Sequence, residues 1–150
     1  MKYNEILQQL PYTFPFLFVD EILSLDENGA KGSFIFKKES DFYTGHFKDN
    51  PVTPGVILTE CCAQIGVVSL GIYLLSQNVA SSDKALQIGL SSSEMEFYIP
   101  VFPNEKVTVS SEKIYFRFHK LKCKVKMHNS KGELVCKGTL AGMLKMNKNE

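Results

Sequence analysis

The chain has 150 residues, 44% of them hydrophobic, which suits one domain over residues 1–150 with a real core. A formal net charge of +1, with Arg117 as its only arginine, argues against nucleic acid as a partner. Cys61, Cys62, Cys123 and Cys136 lack the Cys-x-x-Cys spacing of a zinc or redox site and read as reduced, packed thiols of a cytoplasmic protein, so no structural metal is expected.

Charge divides unevenly between the halves. Residues 1–75 hold 5 lysines and 9 acidic residues, a balance of −4; residues 76–150 hold 12 basic and 7 acidic residues, a balance of +5. Solvated strand faces account for such an excess, and so does a basic rim that attracts an acidic partner.

Lys2 to Leu10 suits a short leading helix stopped by Pro11, and it is too polar for a cleavable signal. Phe16–Leu25 and Ala30–Lys37 read as strands of a hairpin joined by Asp26-Glu27-Asn28-Gly29. A loop over Glu39–Thr53 carries Gly45, His46 and Pro51. Gly55–Leu75 is then almost wholly apolar or small, which predicts a buried helix. Its length approaches the roughly 20 residues of a membrane span. Glu60 and Gln64 in its first half, and the missing basic flanks, favour a soluble core helix instead.

Ser76–Ala85 reads as a polar connector, followed by strands at Leu86–Leu90, Glu94–Ile99, Val107–Phe118, Leu121–His128 and Leu134–Met146. From Leu121 to Met127 the alternation is strict, with Leu121, Cys123, Val125 and Met127 on one face and lysines on the other. Pro100 and Pro103 bracket a bend, and Asn129-Ser130-Lys131-Gly132 makes the last hairpin turn. A helix apolar all round must be wrapped. A curved antiparallel sheet around one long helix meets that demand, which is the α+β hotdog architecture.

The chemistry concentrates where loop meets helix. Pro54 suits a first helical turn, so the amides near Gly55 point at the preceding loop and offer an oxyanion site that glycine lets a ligand approach closely. Glu60 lies inside the helix, where burial should raise its pKa and leave it able to donate a proton, and Gln64 shares its face at i+4 as a structural hydrogen-bond partner. His46 supplies an imidazole base. Base, acid and oxyanion donor together suit proton abstraction beside a carbonyl with loss of a leaving group. By themselves they do not identify the reaction.

Gly45-His46-Phe47, Pro51, Pro54-Gly55-Val56 and Glu60-Cys61-Cys62-Ala63-Gln64 resemble the 3-hydroxyacyl-[acyl-carrier-protein] dehydratases of the FabZ type, including the interval of 14 residues from histidine to glutamate. Leu10-Pro11-Tyr12-Thr13-Phe14-Pro15-Phe16-Leu17-Phe18-Val19-Asp20 resembles that family's opening, and Phe97-Tyr98-Ile99-Pro100-Val101-Phe102-Pro103 its Phe-x-x-Pro-Val-x-Pro segment. The resemblance implies that His46 is the base at C2 of a 3-hydroxyacyl thioester and Glu60 the acid that protonates the leaving C3 hydroxyl. It implies that the amide of Gly55, with that of Val56, polarises the thioester carbonyl, Gln64 belonging to the same group of binding residues. It also implies a homodimer or an assembly of dimers with His46 and Glu60 of one site on different subunits. Acyl carrier protein, an acidic partner, would dock on the basic rim, and by the same resemblance no cofactor or metal would be needed.

The chain departs from the family at Tyr12-Thr13 (His-Arg there), at Lys48-Asp49-Asn50 (Pro-Gly-His), at Thr53 (usually Met) and at Glu96 (commonly basic). These positions bear on substrate length and carrier choice, and a secondary pathway of polyene or aryl-polyene type stands beside fatty-acid synthesis. Two other readings of the residues stay open: a hotdog acyl thioesterase, and a non-catalytic acyl-binding partner subunit.

Overall fold

The computed structural model describes residues 3–78 and 86–146. A leading helix α1 (Tyr3–Gln9) buries Ile6 and precedes the hairpin β1 (Glu21–Asp26) and β2 (Gly29–Ile35). After a single turn α2 (Phe42–Gly45), the central helix runs as α3 (Gly55–Ala63), a π-helical stretch Gln64–Val68, and α4 (Ser69–Asn78). Four long strands complete the chain: β3 (Leu86–Phe97), β4 (Lys106–Arg117), β5 (Lys120–Asn129) and β6 (Leu134–Met146). The six strands form one antiparallel sheet in the order β1-β2-β4-β5-β6-β3.

The hairpin turn is closed by the Asp26 carboxylate, whose Oδ1 accepts from the Asn28 and Gly29 amides at 2.7 and 3.1 Å. On β5, Leu121, Cys123, Val125 and Met127 all face the core, as their alternation with lysine predicts. All four cysteines are free and buried.

Three elements differ from their sequence pattern. Phe16–Asp20, although rich in strand formers, is not strand; its backbone bonds go largely to side chains of the central helix. The strands at Leu86–Leu90 and Glu94–Ile99 are one continuous β3, with a bulge between Leu90 and Ser92 absorbing the serine run. The connector begins later than its polarity suggests, because α4 continues to Asn78; residues 79–85 lie outside the described residues.

Wrapping decides the fate of the apolar run. The stretch Gly55–Gln77 has a mean hydropathy of 1.7, long and apolar enough for a membrane span, yet 72% of its most apolar window is buried inside the fold. Gly66 allows the helix to lie directly on the sheet, since a Cβ there would come within 2.9 Å of Ser111 Cβ and 3.0 Å of Val125 Cγ1. Side-chain hydroxyls serve carbonyls of the widened turn: Ser69 Oγ donates to Gln64 O at 2.9 Å and Ser111 Oγ to Gly66 O at 2.8 Å.

Candidate active site

The loop that carries His46 is tied at several points. The Tyr43 hydroxyl meets Thr53 Oγ1 at 2.6 Å, and the Thr53 amide donates to Val101 O at 2.9 Å. The Val52 amide donates back to His46 O at 2.9 Å. Most consequentially, His46 Nδ1 lies 2.8 Å from Val52 O. A carbonyl oxygen can only accept, so Nδ1 carries the hydrogen and Nε2 keeps the lone pair that a base needs. Phe47, half exposed, stacks on the imidazole with ring centroids 3.9 Å apart.

Pro54, extended at φ −60° and ψ 141°, turns the chain into the central helix. Its carbonyl accepts from the Ile57 and Leu58 amides at 2.9 and 3.1 Å, which leaves the Gly55 and Val56 amides at the open helix start. The Phe97 ring lies over Gly55, 3.4 Å from where a Cβ would stand, and the Val56 side chain is exposed. A helix start of this kind offers N–H groups and the positive end of the helix dipole to an electron-rich oxygen.

Glu60 lies further along the same helix. Burial pushes its carboxyl above the ordinary carboxylate range, and the Gln64 hydrogen bond pulls it part of the way back. Gln64 Nε2 donates to Glu60 Oε2 at 3.0 Å and to Phe16 O at 3.0 Å, while Gln64 Oε1 accepts the Phe18 amide at 2.7 Å. Both N–H donors of this fully buried amide are thus engaged with protein, and its oxygen accepts one bond. Gln64 therefore fixes Glu60 rather than offering a free donor to a ligand. Oε2 accepts from Gln64, and Oε1 has no protein partner among the described residues.

A cavity of about 300 Å3 opens beside Glu60, lined by Tyr12, Phe16, Val67, Val68, Ile88 and Leu90 among others. That volume stands at the small end for a small-molecule site. His46, Gly55 and Val56 of the same chain are not among its lining residues; Glu60 and Gln64 share the central helix, and His46 lies on the loop that precedes it. Neither Tyr12 nor the walls from β3 carry a local sequence signal for this position; Tyr12 stood out only as a departure from a family pattern. Elsewhere, Lys124, Lys126, Lys137, Glu94, Glu96 and Glu112 line a mixed-charge cavity of about 910 Å3 formed by β3, β4, β5 and β6. Among the described residues no group of His, Cys, Asp or Glu side chains could hold a metal ion.

Known proteins are similar to the chain in sequence and in fold. The FabA-like domain model matches residues 10–145. The 3-hydroxyacyl-[acyl-carrier-protein] dehydratase FabZ of Caldicellulosiruptor saccharolyticus is 33% identical over 143 residues, covering 95% of this chain and 97% of its own. The chain belongs to the FabZ-type dehydratase family. FabZ of Geotalea uraniireducens is similar too, 34% identical over 121 residues, with 78% of this chain and 79% of its own covered.

Solved structures support the hotdog architecture. The dehydratase heterocomplex ApeI:P from Xenorhabdus doucetiae superposes with a TM-score of 0.79 at 12% identity, covering 95% of this chain and 91% of that one. A mutant thioesterase from Pseudomonas aeruginosa superposes with a TM-score of 0.66 at 10% identity, covering 98% and 96%. Dehydratases and thioesterases share this fold, so fold alone does not separate them; the sequence family does.

Proposed function

We propose that this FabZ-type hydro-lyase dehydrates 3-hydroxyacyl thioesters of acyl carrier protein to trans-2-enoyl thioesters by acid-base elimination between His46 and Glu60. One observation carries this reading: the Glu60 carboxyl, raised by burial and held at Oε2 by Gln64, lines an otherwise largely apolar cavity. His46 Nε2 takes the proton from C2, and the Gly55 and Val56 amides hold the thioester oxygen as negative charge develops there. The C3–O bond breaks, and the departing oxygen takes the proton of Glu60 Oε1 and leaves as water. Gln64 is a positioning residue throughout. The acyl chain lies along the wall formed by Val67, Val68, Ile88 and Leu90.

The site is shared between two subunits in this reading. One feature supports it: β3 is an edge strand whose outer side is unpaired. An edge of 12 residues flanked by half-exposed Leu90, Phe97 and Tyr98 is a template for pairing. The lysine excess of residues 76–150 gives an acidic carrier cations to meet, and the buried free thiols suit the cytoplasm. Turnover of a 3-hydroxyacyl carrier thioester, followed by enoyl absorbance, tests the activity. Release of free thiol without enoyl product would instead favour thioester hydrolysis.

A further inference from the structure

We propose that the phenol of Tyr12 is the second hydrogen-bond donor of the cavity, placed to hold the substrate's C3 oxygen while Glu60 protonates it. The inference rests on the dehydratase reading and adds to it a residue in contact with the leaving group. Of the ten residues that line the cavity, Tyr12 and Glu60 alone have polar side chains. The rest are Phe16, Ala63, Val67, Val68, Ile88, Leu90 and two glycines, so these two groups define its polar part.

The phenol belongs to the Glu60 side of the site by position and by charge. Glu60 lies close enough to disfavour ionisation of Tyr12, and burial acts more strongly in the same direction. Tyr12 therefore stays protonated wherever the enzyme works. No side-chain hydrogen bond joins it to Glu60 or to another described group. A half-buried donor beside an apolar space is a cost that a bound acceptor removes. The oxygen on C3 is the acceptor that the reaction brings there.

Gln64 also places the phenol. Its Nε2 holds both Glu60 Oε2 and Phe16 O, each at 3.0 Å, and the Phe16 amide closes a turn onto Thr13 O at 2.8 Å. The Tyr12 and Phe16 rings are neighbours, with centroids 6.4 Å apart. One amide side chain thus ties the acid and the segment bearing the phenol to a common frame.

The step balances without consuming the phenol's hydrogen. The C2–H bond breaks toward His46, and its electron pair forms the C2–C3 double bond. The C3–O electron pair leaves with the oxygen, which gains the Glu60 proton. Tyr12 donates a hydrogen bond to that oxygen as its charge grows and retains its own proton.

The test uses the full-length assembly with a 3-hydroxybutyryl carrier thioester. Tyr12→Phe is expected to lower kcat at least tenfold with KM changed less than threefold and an unfolding midpoint close to wild type; Tyr12→His, which restores an N–H donor, recovers part of the loss. A Tyr12→Phe enzyme within twofold of wild type overturns the proposal. A second arm does not depend on turnover: in the His46→Ala background, binding of the 3-hydroxybutyryl thioester is compared with that of the butyryl thioester. The preference for the hydroxylated ligand is expected to fall at least threefold when Tyr12→Phe is added. An unchanged preference overturns the contact even if the enzyme is a dehydratase. A wild-type protein without turnover overturns the dehydratase reading, and the binding arm still decides whether Tyr12 touches the C3 oxygen.

Discussion

Gln64 and Glu60, one helical turn apart, are joined by a 3.0 Å hydrogen bond from Nε2 to Oε2. The same Gln64 amide holds the Phe16 carbonyl and the Phe18 amide. Acid placement and the docking of the N-terminal segment are therefore one structural problem with one solution.

Replacing Gln64 with Leu deletes that solution. The Phe18 amide and Phe16 carbonyl lose their partners, and each buried unsatisfied group costs about 1–3 kcal/mol. Denaturant unfolding should show a loss of about 2–4 kcal/mol. Activity at a temperature where the variant is still folded should also fall, because Glu60 is no longer held. A variant as stable as wild type would mean that the segment is anchored elsewhere.

Glu60 gives the fold a pH dependence of definite sign. Its folded-state pKa lies above the unfolded value, so the native state holds the proton more tightly. Stability from this group is full at low pH and declines as pH rises from the ordinary carboxylate range through the raised value. Glu60→Gln removes that decline while keeping an acceptor for Gln64. The melting-temperature difference, variant minus wild type, should therefore grow from pH 4 to pH 8. A difference that shrinks as pH rises would contradict burial as the cause of the shift.

The close approach of helix and sheet is tested at Gly66. A Cβ there meets Ser111 Cβ at 2.9 Å and Val125 Cγ1 at 3.0 Å, neither being the far end of a flexible chain. Gly66→Ala should cost about 1–3 kcal/mol by overpacking. Equal or greater stability, read from the denaturation midpoint, would show that the helix can lift without penalty.

Much of the candidate site can be proposed from sequence because its residues are local. His46, Pro54, Gly55 and Glu60 fall in one loop-helix unit, and a carboxylate in an apolar run is conspicuous in any sequence. The alternation of Leu121 to Met127 likewise announced β5. Nonlocal features left weaker marks. Phe16–Asp20 carries strand-forming residues, but Gln64 on the helix engages its backbone instead of a neighbouring strand. Around Ser91, β3 lies at a sheet edge, exposed on both faces, so no inward face imposes alternation on its sequence. The π stretch Gln64–Val68 is buried on every side, and a run without a polar face does not reveal a change of helical pitch. Tyr12 reaches Glu60 only through tertiary folding, which no spacing rule encodes.

The central claim is that His46 of one subunit works with Glu60 of another. Mixing tests it directly: His46→Ala and Glu60→Gln are each purified as inactive protein, unfolded together and refolded at equal concentration. Random pairing puts half the dimers in mixed form, each with one intact site of two, so about a quarter of wild-type dehydration activity should return. If mixed dimers form, as mass spectrometry can verify, and activity stays at the level of the separate variants, the two residues do not share a site across the interface.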